Sequence, residues 1–148
     1  MSMPALSGGM RPAASPSLTN PADLAKAREI AALKAIDRQV RAHEAAHLAA
    51  AGGLAQGGAN FTYTRGPDGK NYAVGGEVAI DTSPVPDDPA ATLAKAQQIQ
   101  AAALAPSDPS PQDHAVAAAA AAMAAQAQAE LAKHKGKESP GQILDVVA

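Results

Sequence analysis

The chain has 148 residues, a formal net charge of −2 and no cysteine. The length suits one domain. The charge offers no electrostatic case for nucleic acid or an anionic membrane, and disulfides, thiol catalysis and cysteine-ligated metals are excluded. Forty residues are alanine and only 29 are Val, Ile, Leu, Met, Phe or Tyr, nine of them near the chain ends. The remaining twenty are too few for a large sheet sandwich or a doubly wound fold. Alanine has the best helix propensity. The expected class is therefore α+β, mostly α: one long helix, one β-hairpin, two further alanine-rich helices and disordered termini. No run is apolar and long enough to span a bilayer.

Residues 1–20, rich in Ser, Pro, Gly and Ala, read as a disordered leader. They contain no basic segment followed by an apolar one, so no secretory signal is read and a cytoplasmic location is expected. The domain proper is expected over 21–134, with a flexible tail over 135–148. Asn20-Pro21 starts a helix, with Asn as N-cap, Pro in the first turn and Asp23 close behind. Gly52-Gly53 ends it near Ala51. Leu33, Ile36, Val40, His43 and His47 fall on one stripe of this helix.

A hairpin is expected over 60–81. Phe61, Tyr63 and Arg65 alternate with threonines, Gly66-Pro67-Asp68-Gly69 makes a turn, and Tyr72, Val74, Val78 and Ile80 alternate on the return. Gly75-Gly76 suggests a bulge or a close backbone approach. Asp88-Pro89 starts a second helix that stops before Pro106, with Leu93, Ala96, Gln100 and Leu104 as its face. Ser110-Pro111 with Asp113 starts a third, over about 111–134, with a stripe of Val116, Ala120, Met123, Ala127 and Leu131.

Residues 43–47 read His-Glu-Ala-Ala-His, an H-E-x-x-H motif. Histidines four apart lie about 40° apart around a helix and about 6 Å apart along it, so both imidazoles can reach one ion. Glu44, rotated by about 100°, is poorly placed as a ligand but well placed beside a water on that ion. Zinc acidifies such a water and polarises a carbonyl, and the glutamate moves the proton to the leaving amine. With four His and five Glu in the chain, chance produces the motif in roughly 0.4% of shuffled sequences, so composition alone does not explain it. The expected activity is zinc-dependent hydrolysis of a peptide or protein substrate. The alternative is a non-catalytic, zinc-stabilised helical interaction module, in which metal makes up for a small core.

A third protein ligand is required, and no third His follows at the metzincin spacing. Glu77, in the glycine-flanked GGEVAID, is the first candidate, although simple alternation turns it away from Val78 and Ile80. His114, in the first turn of the third helix, is an alternative ligand. Asp81 is read as a loop cap before Pro84. Tyr72 is a candidate donor to the oxyanion of the tetrahedral intermediate, against a packing role.

HEAAH, the hairpin YTRGPDGKNYAVGGEVAIDTSPVP and the junction ALAPSDPSPQD occur in the order seen in the SprA-related family, a metalloprotease-like family that the chain resembles over about residues 38–130. The resemblance implies a zinc-dependent peptidase-like domain with His43 and His47 as ligands and Glu44 as base. It favours Glu77 as the third ligand, because GGEVxID belongs to the family pattern. It counts against His114, where family members often carry arginine.

Overall fold

The computed structural model describes residues 20–138. Residues 1–19 of the leader read over 1–20, and residues 139–148 of the tail read over 135–148, lie outside the described residues. Three helices and one antiparallel hairpin follow in the expected order: α1 (Pro21–Ala51), β1 (Asn60–Arg65), β2 (Asn71–Glu77), α2 (Pro89–Ala103) and α3 (Pro111–Glu138). Helix α3 thus continues past residue 134, into the segment read as tail. None of the described helices is long and apolar enough to cross a membrane.

The ends of α1 form as their residues dictate. Asn20 Oδ1 accepts the Ala22 N–H at 3.0 Å, satisfying one of the donors that every helix N-terminus leaves free. At the other end Gly52 adopts a φ of +53° and its N–H returns to Leu48 O, a conformation that glycine reaches without a Cβ clash.

The inward stripe of α1 runs through the half-buried Leu33, Asp37 and Val40 and the buried Glu44, His47 and Ala51. This corrects the expected stripe at one place. Ile36 is 39% exposed, and the polar Asp37 turns inward instead. The reason is a backbone donor: Asp37 Oδ1 accepts the N–H of the fully buried Ala73 on β2 at 2.8 Å. A buried amide needs a partner, and this one ties the hairpin to α1. Arg41 closes on the same carboxylate at 3.0 Å and stacks 5.0 Å from the Phe61 ring centre.

The hairpin turn is the expected one. The Gly69 N–H reaches Gly66 O at 3.0 Å, and Gly69 takes a φ of +76°. The strands are shorter than expected, and the alternation breaks. Thr62 pairs with Gly75 but Tyr63 pairs with Ala73, so Val74 is an extra residue in β2. This bulge buries both Tyr72 and Ala73 and leaves Val74 exposed. Val78 and Ile80 lie beyond the strand. Ile80 instead bridges Ala55, and Asp81 N–H reaches Leu54 O at 2.9 Å.

The face of α2 also differs from the expected one. Thr92, Ala96, Ile99, Ala102 and Ala103 are buried, and Leu104 is 40% exposed. Ile99 is the largest fully buried side chain. Ala117, Ala120 and Ala127 of α3 are buried; Ala120 and Ala127 lie on the expected stripe, while Ala117 is buried in place of the half-buried Val116. Small side chains let α2 and α3 pack closely, and α2 in turn packs on α1. Helices α1 and α3 form no comparable interface of their own.

Candidate metal centre

Helix α1 carries the half-buried His43 and the buried Glu44 and His47. His47 is 4% exposed, and its Nδ1–H donates to Ala102 O at 2.8 Å. That bond fixes the tautomer, so the Nε2 lone pair is free to accept. The His47 and His43 Nε2 atoms lie 3.1 Å apart, with the rings edge to face.

The third group at this point is Asp113. Its Oδ2 lies 3.2 Å from His43 Nε2 and its Oδ1 3.3 Å from His47 Nε2. His43, His47 and Asp113 are the one group of three such side chains among the described residues with atoms close enough to hold a common ion. Two imidazole nitrogens and a carboxylate are ligand types of catalytic zinc sites, and tetrahedral ligands about 2.0–2.1 Å from their centre stand about 3.3 Å apart. The observed separations therefore suit a metal ion. The same separations are also compatible with hydrogen bonds through a ring proton.

The position of Asp113 follows from helix capping. Ser110 N–H donates to Asp113 Oδ2 at 2.7 Å, and Asp113 N–H donates to Ser110 Oγ at 3.1 Å. This is a reciprocal capping box at the start of α3, and it orients the carboxylate toward α1. Burial would raise the Asp113 carboxyl, but the two bonds with Ser110, together with His47 and His43, outweigh it and hold it below the ordinary carboxylate value.

Glu44 is 4% exposed, and its Oε2 has no hydrogen-bond partner. Burial pushes its carboxyl above the ordinary value, against the opposing pull of His43 and His47. Gly76 of β2 covers it. A Cβ at that position would stand 2.8 Å from Glu44 Cγ, so the close backbone approach expected of Gly75-Gly76 is present at Gly76.

A cleft of about 350 Å³ opens onto these groups, lined also by Glu77, Val78, Ile80, Ala103 and Val116. A second, of about 560 Å³, reaches His43, Glu44 and Gly76 from the other side, past Gln39, Gly75, Ser107 and Asp108.

The remaining sequence candidates fall as follows. Glu77 is exposed on the cleft wall and is not in the group with His43 and His47; the strand ends there, so the alternation argument no longer governs where it lies. His114 is exposed beside Asp113 and is also outside the group. Tyr72 is buried but lines neither cleft. Its hydroxyl donates to Asp68, which pushes the phenol up to about 12, so the oxyanion role is corrected to a structural bond within the hairpin. Asp81 caps its loop as expected, accepting the Ser83 N–H at 3.0 Å, and also binds Lys95 Nζ at 2.7 Å.

Asp113 escaped the reading of the sequence because its role as a helix-start residue already accounted for it. The available signal was that a carboxylate three residues after an N-cap serine points back toward the cap. The SprA-related family model matches residues 16–143. The chain belongs to the SprA-related family. The match spans the motif helix, the hairpin and both alanine-rich helices, so the His43, His47 and Asp113 group of this SprA-related protein lies inside it. No curated protein and no solved structure matches the chain.

Proposed function

We propose that this SprA-related protein is a zinc-dependent peptidase in which His43, His47 and Asp113 hold the metal and Glu44 serves as the general base. The observation that supports this most strongly is the convergence of the two Nε2 atoms and the Asp113 carboxylate beside a buried, unpartnered Glu44 Oε2. A zinc ion in such a site supplies a Lewis acid and an acidified water. Glu44 Oε2 accepts the proton of the attacking water and returns it to the leaving amine. The Ala102 carbonyl holds the His47 ring in its accepting tautomer, and Ser110 steadies the Asp113 carboxylate. Gly76 packs against Glu44, which is 4% exposed, so the base is largely desolvated although both clefts border it.

Glu44→Gln tests the reading. The variant keeps one bound zinc per chain and its melting temperature, and loses cleavage of a denatured protein substrate by about 10²-fold or more. Equal cleavage by the variant and the parent removes Glu44 from the chemistry.

One observation favours the alternative, a zinc-stabilised module without catalysis. Helices α1 and α3 share no substantial interface of their own, yet His43 and His47 on one meet Asp113 on the other. A metal there would cross-link them and contribute folding free energy. In that case zinc removal lowers the melting temperature strongly, while Glu44→Gln changes no activity because the parent has none.

A further inference from the structure

The two clefts adjoin at shared residues and are taken together as one candidate passage. Both reach His43, Glu44 and Gly76, one from the side of Val78, Ile80 and Val116, the other from the side of Gln39, Ser107 and Asp108. Cleft space therefore adjoins the motif on two sets of neighbours, as a chain that continues beyond the site in both directions requires. A site that recognises a chain end is closed on one side.

The wall of this passage includes the free edge of a strand. β2 pairs with β1 along one edge, and among the described residues Gly75–Glu77 have no backbone partner on the other. Unpaired strand backbone next to a cleft is a template for an added strand. The passage also has a definite charge. Its lining carries Glu44, Glu77, Asp108 and Asp113 and no lysine or arginine. Asp113 is engaged by His43, His47 and Ser110, and Glu44 is buried. Glu77 borders the first cleft and Asp108 the second; both are exposed, and among the described residues neither is paired with a cation.

We infer that the passage binds an internal stretch of an extended polypeptide along the free edge of β2, with an apolar side chain against Val78, Ile80 and Val116 and basic side chains toward Glu77 and Asp108. Backbone pairing supplies sequence-independent affinity, and the two carboxylates supply selectivity. An acidic segment is disfavoured, because its carboxylates meet Glu77 and Asp108, neither of which has a cationic partner among the described residues. The inference deepens the peptidase reading and depends on it only for what becomes of the bound peptide.

Binding to zinc-loaded Glu44→Gln protein tests it. The probe is a short peptide blocked at both ends, with leucine at its centre and lysines toward its ends. Fluorescence anisotropy reads affinity, and amide hydrogen exchange reads Gly75–Glu77. The expected result is saturable binding that slows exchange at those amides. Replacing the central leucine with alanine weakens it by about tenfold or more. Replacing the lysines with aspartates also weakens it, and raising the salt concentration weakens the lysine peptide. Glu77→Gln narrows the gap between the lysine and aspartate peptides. Lack of binding, binding only by peptides with a free terminus, equal binding of the aspartate peptide, or unchanged exchange at Gly75–Glu77 each overturns the inference. If the blocked peptide binds as described and the parent protein never cuts it, the inference stands and the peptidase reading falls. If the parent cuts only unblocked peptides from an end, the peptidase reading stands and the inference falls.

Discussion

Gly76 lies so close to Glu44 that a methyl group on it would stand 2.8 Å from Glu44 Cγ and 2.9 Å from Oε1. Strand and motif helix therefore meet at the one acidic side chain of the motif, and the glycine makes the contact possible. Gly76→Ala forces either β2 away from α1 or Glu44 out of its buried position. Overpacking of this kind costs about 1–3 kcal/mol, which urea unfolding reads directly. Gly75→Ala is the control. Its nearest neighbour would be Thr62 Cβ at 3.8 Å, an ordinary contact, so its midpoint should barely move. If the two variants unfold alike, the Gly76–Glu44 contact does not constrain the site.

The Asp37 carboxylate lies below its ordinary value, held there first by the Ala73 N–H and next by Arg41. A carboxylate lowered in the folded state takes up protons more readily once unfolded. Its contribution is therefore complete above the ordinary carboxylate value and is lost as pH falls through the folded one. Asp37→Asn keeps an acceptor for Ala73 and removes the charge. The melting-temperature gap between parent and variant should be widest near neutral pH and close on acidification. A gap that does not change with pH would show that the charge of Asp37 does not hold the hairpin.

The elements with strong local signals were legible from the sequence. Asn20-Pro21 and Gly52 bound α1, Gly66-Pro67-Asp68-Gly69 turns the hairpin, and Ser110-Pro111 starts α3. Placement of His43 and His47 on one inward side followed from helical spacing, whereas the burial of Glu44 did not. What could not be read were choices made by a partner in space. Asp37 turns inward, and Ile36 outward, because the buried Ala73 amide needs an acceptor. Ile99 rather than Leu104 fills the core because α2 is rotated so that Ala102 O meets His47. Val74 bulges out within a run whose alternation looked regular. Asp113 carried a sufficient local explanation as a helix-start residue, so nothing in the sequence marked it for a second task.

Ile99 is the largest fully buried side chain among neighbours that are mostly alanine. Ile99→Ala therefore removes an unusually large share of the core, and alanine neighbours have little side chain with which to fill the gap. The expected loss is about 2–5 kcal/mol, a large part of the about 5–15 kcal/mol typical of a domain. Denaturant titration checks it. A loss below 1 kcal/mol, the size of a surface effect, would contradict the packing described.

Metal affinity separates the ligand candidates. Asp113→Ala should weaken zinc binding by more than the about 10–100-fold typical of an outer-sphere partner, whereas Glu77→Ala and His114→Ala leave it nearly unchanged. Zinc at a hundredfold excess over Kd should raise the stability of the parent by about 2.7 kcal/mol, and the Asp113 variant should lose most of that increment. Calorimetric titration and thermal unfolding with and without zinc give both numbers. A larger loss in Glu77→Ala than in Asp113→Ala would assign the third ligand to the strand.

The most direct measurement is anomalous scattering at the zinc absorption edge from a crystal grown with zinc. The expected result is a single strong peak about 2.0–2.1 Å from the Nε2 atoms of His43 and His47 and from one oxygen of Asp113, with Glu44 beside it and not bound to it. No peak at that point, or a peak whose third protein ligand is Glu77 or His114, would contradict the site.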